Sequence, residues 1–171
     1  MSSLKESAYN YHMNTKENAH GLIQHTDIPG RVDHLFRISL KALVFNDKNE
    51  VLLVKESGRE AWDIPGGGMD HGETAEDAIR RELTEEVNLT GNFSFQVLAT
   101  EDPTYVDTIN IWQMRIVYAV WPENSLFSAG DDGDEITFAS IEQLSQSNSE
   151  YKRIYAKYAK LAHKIDKQVN T

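Results

Sequence analysis

Glu82, Glu85 and Glu86 stand at i, i+3 and i+4 in a chain of 171 residues. On an α-helix that spacing gathers three carboxylates within about 100° of one face. Like charges held this way repel by roughly a few tenths of a kcal/mol per pair. The cluster is therefore locally unfavourable until a cation neutralises it. A hard divalent cation such as magnesium does so, since it takes oxygen ligands and shares them between a few carboxylates and substrate phosphates. Taken alone, three neighbouring glutamates more often form a solvated helix face, so the residues around them must decide.

Those residues specify the helix. Thr74 is a good N-cap, Glu76 and Asp77 complement the dipole of the first turn, and Ala75, Ile79, Leu83 and Val87 recur at helical spacing. A helix is expected from Thr74 to about Val87, with Asn88 at the left-handed stop. Its apolar stripe lies beside the carboxylates, so a sheet that buries the stripe would hold the glutamates at its margin. Upstream, Pro65-Gly66-Gly67-Gly68 forces a tight bend whose backbone carbonyls can approach the same cation.

Read from Gly67, the chain runs through five free positions to Glu73, seven more to Arg81-Glu82, then Leu83, Thr84, Glu85-Glu86, Val87, Asn88 and Leu89. This pattern resembles the signature box of the Nudix hydrolase family, with Asn88 where the family usually has glycine. The resemblance extends to Trp62-Asp63-Ile64-Pro65-Gly66-Gly67 and to the order of elements around the box. It implies that Glu82, Glu85 and Glu86 bind magnesium, with manganese as a substitute, and that the carbonyl of Gly66 completes a metal shell. It implies that Arg81 and Glu73 form a supporting pair that orients the loop against the helix.

The reaction so implied is attack by water on a phosphorus of a nucleoside diphosphate derivative: an ADP-sugar, a dinucleoside polyphosphate or a damaged nucleoside triphosphate. Two general bases are open, Glu82 on the helix and Glu135 in the acidic run Asp131-Asp132-Gly133-Asp134-Glu135, with Glu135 slightly favoured. Trp62, Tyr105, Trp112 and Phe138 could stack on a base, although packing is the better reading of each. The competing function is a non-catalytic nucleotide-binding or regulatory module, which retention of every box carboxylate disfavours.

The elements that must position this segment are mostly strands. Ile38 to Phe45 and Val51 to Val54 flank a turn-rich Asn46-Asp47-Lys48-Asn49 and read as a β-hairpin. Ala61 to Ile64, Phe93 to Thr100, Ile109 to Trp121 and Ile136 to Phe138 read as further strands. Ser140 to about Gln146 reads as a short helix, and Glu150 to Lys167 as a long one. In the long helix Tyr151, Ile154, Tyr155, Tyr158, Leu161, Ala162 and Ile165 form one apolar stripe. The expected class is α+β, a Nudix-type α/β/α sandwich with a mixed central sheet. Its parts are an arm over residues 1–35, a hydrolase domain over 36–148, and an amphipathic helix over 149–171 packed on that domain. The arm holds His12, His20, His25 and His34 at no metal-binding spacing, and would permit a homodimer.

Composition closes off other functions. The net charge of -10 opposes general nucleic-acid binding, although the segment from Tyr151 onward carries six Lys and Arg against Asp166 alone. An acidic body that handles an anionic nucleotide needs a mediating cation. There is no cysteine, hence no thiol nucleophile, disulfide framework or thiolate metal site. The apolar runs are too short to span a membrane, and the first thirty residues lack a signal-peptide pattern, so a cytoplasmic location is expected.

Overall fold

A computed structural model of the chain describes residues 21–24 and 27–169. His12, His20 and His25 lie outside the described residues. Part of the arm forms a short antiparallel pair, β1 (Leu22–Gln24) with β2 (Val32–His34).

Two sheets make the centre. In the mixed one, β3 (Arg37–Val44) runs parallel to β8 (Ile111–Pro122), while β6 (Phe93–Thr100) and β7 (Thr104–Val106) pair with β8 antiparallel. In the other, β4 (Val51–Glu56) is flanked by β5 (Trp62–Asp63) and β9 (Gly133–Ala139), both antiparallel. Helix α1 (Ala75–Val87) covers one side, and α2 (Ile141–Ser145) with α3 (Glu150–Val169) the other. This is the expected α+β sandwich, with its central layer divided between two sheets. Among the described residues no helix is long and apolar enough to cross a membrane.

The expected hairpin does not form. β3 and β4 touch through one isolated bridge, Phe45 with Val51, and then diverge into different sheets. From Leu40 to Phe45 every residue of β3 and its end is buried, because even positions face α1 and odd positions face α3. A strand covered on both faces gains most as a central parallel strand, and β8 supplies that pairing.

α1 forms as its sequence predicts. Thr74 and Asp77 make a reciprocal capping box, and Asn88 stops the helix at φ 53°. Asparagine does more here than tolerate a left-handed backbone: its Nδ2 donates to Ser128 Oγ (3.0 Å) and to the Ala129 carbonyl (2.7 Å). The loop it holds then caps the helix, with Gly130 N–H donating to the Glu86 carbonyl and Asp132 N–H to that of Glu85. A Cβ on Gly130 would sit 2.2 Å from the Glu85 carbonyl, so only glycine admits this approach. Asn88→Ala should lower stability by about 1–2 kcal/mol, through left-handed strain and the lost side-chain bonds. Asn88→Gly should lose less; equal urea midpoints for all three proteins would refute this role.

α3 departs from its expected stripe. Tyr155, Ala156, Ala159 and Ala162 are buried, whereas Tyr151 is 60% and Leu161 39% exposed. The small alanines let the helix axis approach β3 and β6, which leaves the larger side chains at its edges.

Candidate active site

The loop between β5 and α1 is stitched to β3. Ala42 N–H donates to the Pro65 carbonyl, Leu40 N–H to that of Gly67, and Met69 N–H to that of Ile38. Gly66 lies at φ 125°, and its N–H donates 3.0 Å to Glu86 Oε2. The loop thus fixes one helix carboxylate through its backbone. Glu86 is 5% and Glu82 8% exposed. With Gly66, Gly67, Glu56, Ser57 and Asp132 they line one cleft.

Burial governs the electrostatics. Desolvation pushes the Glu86 carboxyl up to about 7, with the Glu56 and Glu82 charges adding to it and Lys41 and the Gly66 N–H opposing it. Glu82 is also raised, again chiefly by desolvation, against the pull of Arg81. Buried carboxylates this close favour a bound cation.

Arg81 bonds to both the loop and the helix carboxylates. Its Nε and Nη2 fork onto Glu73 at 2.7 and 3.1 Å, and Nη2 also donates to the Gly68 carbonyl at 3.1 Å. That fork holds Glu73 down at about 2. Nη1 reaches Glu82 Oε1 at 2.8 Å and Glu85 Oε2 at 3.1 Å. Arg81 therefore ties loop to helix and draws Glu85, whose side chain is 40% exposed, toward itself. Glu85 does not line the cleft. Among the described residues no three ligand groups converge as a ready metal shell.

Even so, the donors fit a hard divalent cation. The charged groups of the cleft are all carboxylates. Among the described residues the carbonyls of Pro65, Gly67 and Gly68 have donors, whereas that of Gly66 has none. A buried carboxylate pair beside a spare carbonyl suits an oxygen-seeking cation.

Glu135 is elsewhere. Its side chain is 60% exposed and pairs with Lys55 at 3.3 Å, because β9 aligns Glu135 with Lys55 and brings Gly133 against Glu56. The same loop delivers Asp132 to the cleft instead. Of the stacking candidates, Phe138 packs edge-on to Phe127 in the core, and Tyr105 meets Trp112 edge-on at 5.7 Å.

Sequence reasoning missed Glu56, Asp132 and Lys41. Lys41, 5% exposed, donates to the Ile64 carbonyl at 3.1 Å and pairs with Asp63 at 3.1 Å and Glu56 at 3.8 Å. Asp63 also accepts from the Tyr155 hydroxyl. Its burial works against ionisation, but Lys41, Tyr155 and the Ile64 N–H outweigh it and hold Asp63 below its usual range. A polar link thus runs from α3 through Asp63 and Lys41 to the glycine loop. The signal in the sequence was a lysine inside an otherwise apolar strand.

A family model, the NUDIX domain, matches residues 35–161. The RNA pyrophosphohydrolase of Ruthia magnifica subsp. Calyptogena magnifica is 42% identical over 55 residues, 32% of this chain and 31% of that protein. The putative 8-oxo-dGTP diphosphatase of Bacillus subtilis (strain 168) is 37% identical over 65 residues, 38% of this chain and 44% of that protein. The chain thus matches less than half the length of each of these curated relatives. The crystal structure of the MutT protein from Methanosarcina mazei Go1 aligns with a TM-score of 0.60 at 21% identity, covering 75% of this chain and 96% of that one. The NUDIX domain of Shewanella oneidensis NrtR, solved with ADP ribose, aligns at 0.59 and 17% identity, covering 77% and 89%. At these identities the structural likenesses show the fold.

Proposed function

Because the chain belongs to the NUDIX domain family, whose model spans residues 35–161, we propose that it is a magnesium-dependent pyrophosphohydrolase of a nucleoside diphosphate derivative. Manganese would substitute for magnesium. The substrate is a small nucleotide: an ADP-sugar, a dinucleoside polyphosphate or a damaged nucleoside triphosphate. The observation that carries this reading is the single cleft in which buried Glu82 and Glu86 meet Glu56, Asp132 and the glycine loop.

Glu82, Glu86 and the Gly66 carbonyl would hold the cation, joined by Glu85 once its carboxylate leaves Arg81 and turns toward the cleft. Magnesium bound there would neutralise phosphate charge and acidify a water. Arg81 keeps the loop and the helix in register through Glu73 and Gly68, which fixes the carboxylates relative to the Gly66 carbonyl. Glu82 is the proton acceptor this geometry supports: it lines the cleft, and desolvation raises its proton affinity. Glu135, committed to Lys55 outside the cleft, suits the base role less well.

Phosphate release should be measured with purified protein and magnesium against ADP-ribose, a GDP-sugar, NADH, diadenosine and diguanosine polyphosphates, and oxidised nucleotides. Turnover of at least one is expected. None on any of them would favour a binding module instead. Glu135→Gln should keep a near-normal rate on whichever substrate is turned over; a collapse would return the base to Glu135.

A further inference from the structure

A second cleft adjoins the carboxylate site and shares Glu56 with it as a common wall. Its lining includes Arg59, Trp62, Asp63, Arg115, Tyr151 and Tyr155. Arg115 is the notable member. It stands on β8 two residues before Val117, which packs in the same cluster as α3. Its Nε is buried with no hydrogen-bond partner, and its Nη1 is 3.9 Å from Glu101. Closed to solvent as it stands, that N–H meets a ligand acceptor only when the side chain, 26% exposed and part of the cleft wall, turns toward it.

The lining narrows what that ligand can be. Glu56 and Asp63 balance Arg59 and Arg115, and Arg59 is already engaged with Glu56 at 2.9 Å. A phosphate therefore finds no net positive field here. Trp62, Tyr151 and Tyr155 offer flat apolar surface, which suits a planar ring. The volume, about 230 Å³, is below the usual range for a whole nucleotide-sized ligand and fits a base with little more. An arginine fork needs two neighbouring acceptors on one edge. Among nucleobases guanine presents that pair, O6 and N7, whereas adenine places an amino donor beside N7.

We propose that this cleft is a base-recognition subsite in which Arg115 reads the O6/N7 edge of a guanine. The inference rests on the nucleotide reading above and, within it, places guanine-bearing diphosphate derivatives ahead of ADP-sugars and of 8-oxoguanine nucleotides. Substrates carrying guanine are preferred to those carrying adenine, and unmodified guanine to 8-oxoguanine, whose N7 bears a hydrogen that would oppose the arginine N–H. Tyr151, 60% exposed, serves as a stacking wall at the mouth.

Calorimetric binding of guanosine, adenosine and 8-oxoguanosine monophosphates, in EDTA and without turnover, tests the subsite separately from catalysis. Guanosine monophosphate should bind at least ~10-fold more tightly than adenosine monophosphate, and Arg115→Lys, which keeps the charge but loses the fork, should abolish most of that preference. Tyr151→Ala should weaken both nucleotides and keep the preference, which guards against a misfolded arginine variant. Equal affinities for the two bases would overturn the proposal, as would a preference surviving in Arg115→Lys or displacement of the nucleotide by equimolar inorganic phosphate. Hydrolysis without base preference would sink the subsite and leave the proposed activity standing; base-selective binding without hydrolysis would do the reverse.

Discussion

Replacing Glu86 by glutamine should lower turnover by at least ~10²-fold, the size of loss expected when a main electrostatic element of a site is removed. Glutamine keeps the shape and can still accept from the Gly66 N–H, so the fold should survive. What it loses is a full negative charge at the most buried carboxylate of the cleft. Stability should move in the opposite sense. Burial lifts the Glu86 carboxyl from 4.5 to about 7 in the folded chain. Between those values the folded state binds more protons than the unfolded one, so stability falls as pH rises through this window and levels off above it. In EDTA at pH 8, Glu86→Gln should therefore be more stable than the wild type and should lack that decline. Added magnesium should stabilise the wild type by mass action and the variant much less. Near-normal turnover in Glu86→Gln would remove the central assignment. A pH profile in EDTA identical to that of the wild type would show instead that Glu86 is ionised without cost.

What could be read ahead of the structure was local. The helix from Thr74 to Asn88 was legible end to end, because cap, apolar period and stop all lie within fifteen consecutive positions. The Arg81–Glu73 pair was legible only through the family resemblance, which sets the two residues eight positions apart, with Glu73 just before the N-cap. Pairing between distant strands was not. Ile38 to Phe45 carries the composition of a hairpin arm, yet its partner is a parallel strand 76 positions on, Ile38 pairing with Met114, and nothing local encodes which strand that is. The same limit explains Glu135 and Asp132. Both belong to one acidic run, and the register of β9 on β4 decides which of them reaches the cleft. A shift of one residue would exchange the faces of that strand. Lys41 was passed over for a related reason: a lone lysine in a strand reads as an edge or solvent position until the second sheet and α3 are seen to close over it.

Gly66→Ala tests whether the loop is as constrained as its bonds suggest, and it should be the most damaging single methyl group in the chain. Two costs combine. The backbone stands at φ 125°, where an L side chain is strained by about 1–3 kcal/mol. The added Cβ would also lie 2.2 Å from the Leu40 carbonyl oxygen and 3.0 Å from Lys41 Cα. Those atoms belong to a buried central strand, tied to β8 along its whole length, so they cannot move aside cheaply. Overpacking of this kind typically adds about 1–3 kcal/mol, giving a total loss of roughly 3 kcal/mol or more. Gly72→Ala isolates the backbone contribution, since Gly72 also has a positive φ, 89°, but an added Cβ there meets nothing within 4 Å. Urea unfolding of both variants should place Gly66→Ala well below Gly72→Ala. Turnover should separate them further, because a displaced Gly66 N–H no longer holds Glu86. Equal unfolding midpoints for the two variants would mean that the loop yields, and that the glycine is there for conformation alone. The expected order instead makes the contact with β3 the reason: the strand presses the loop toward the helix, and that pressure sets where the backbone meets Glu86.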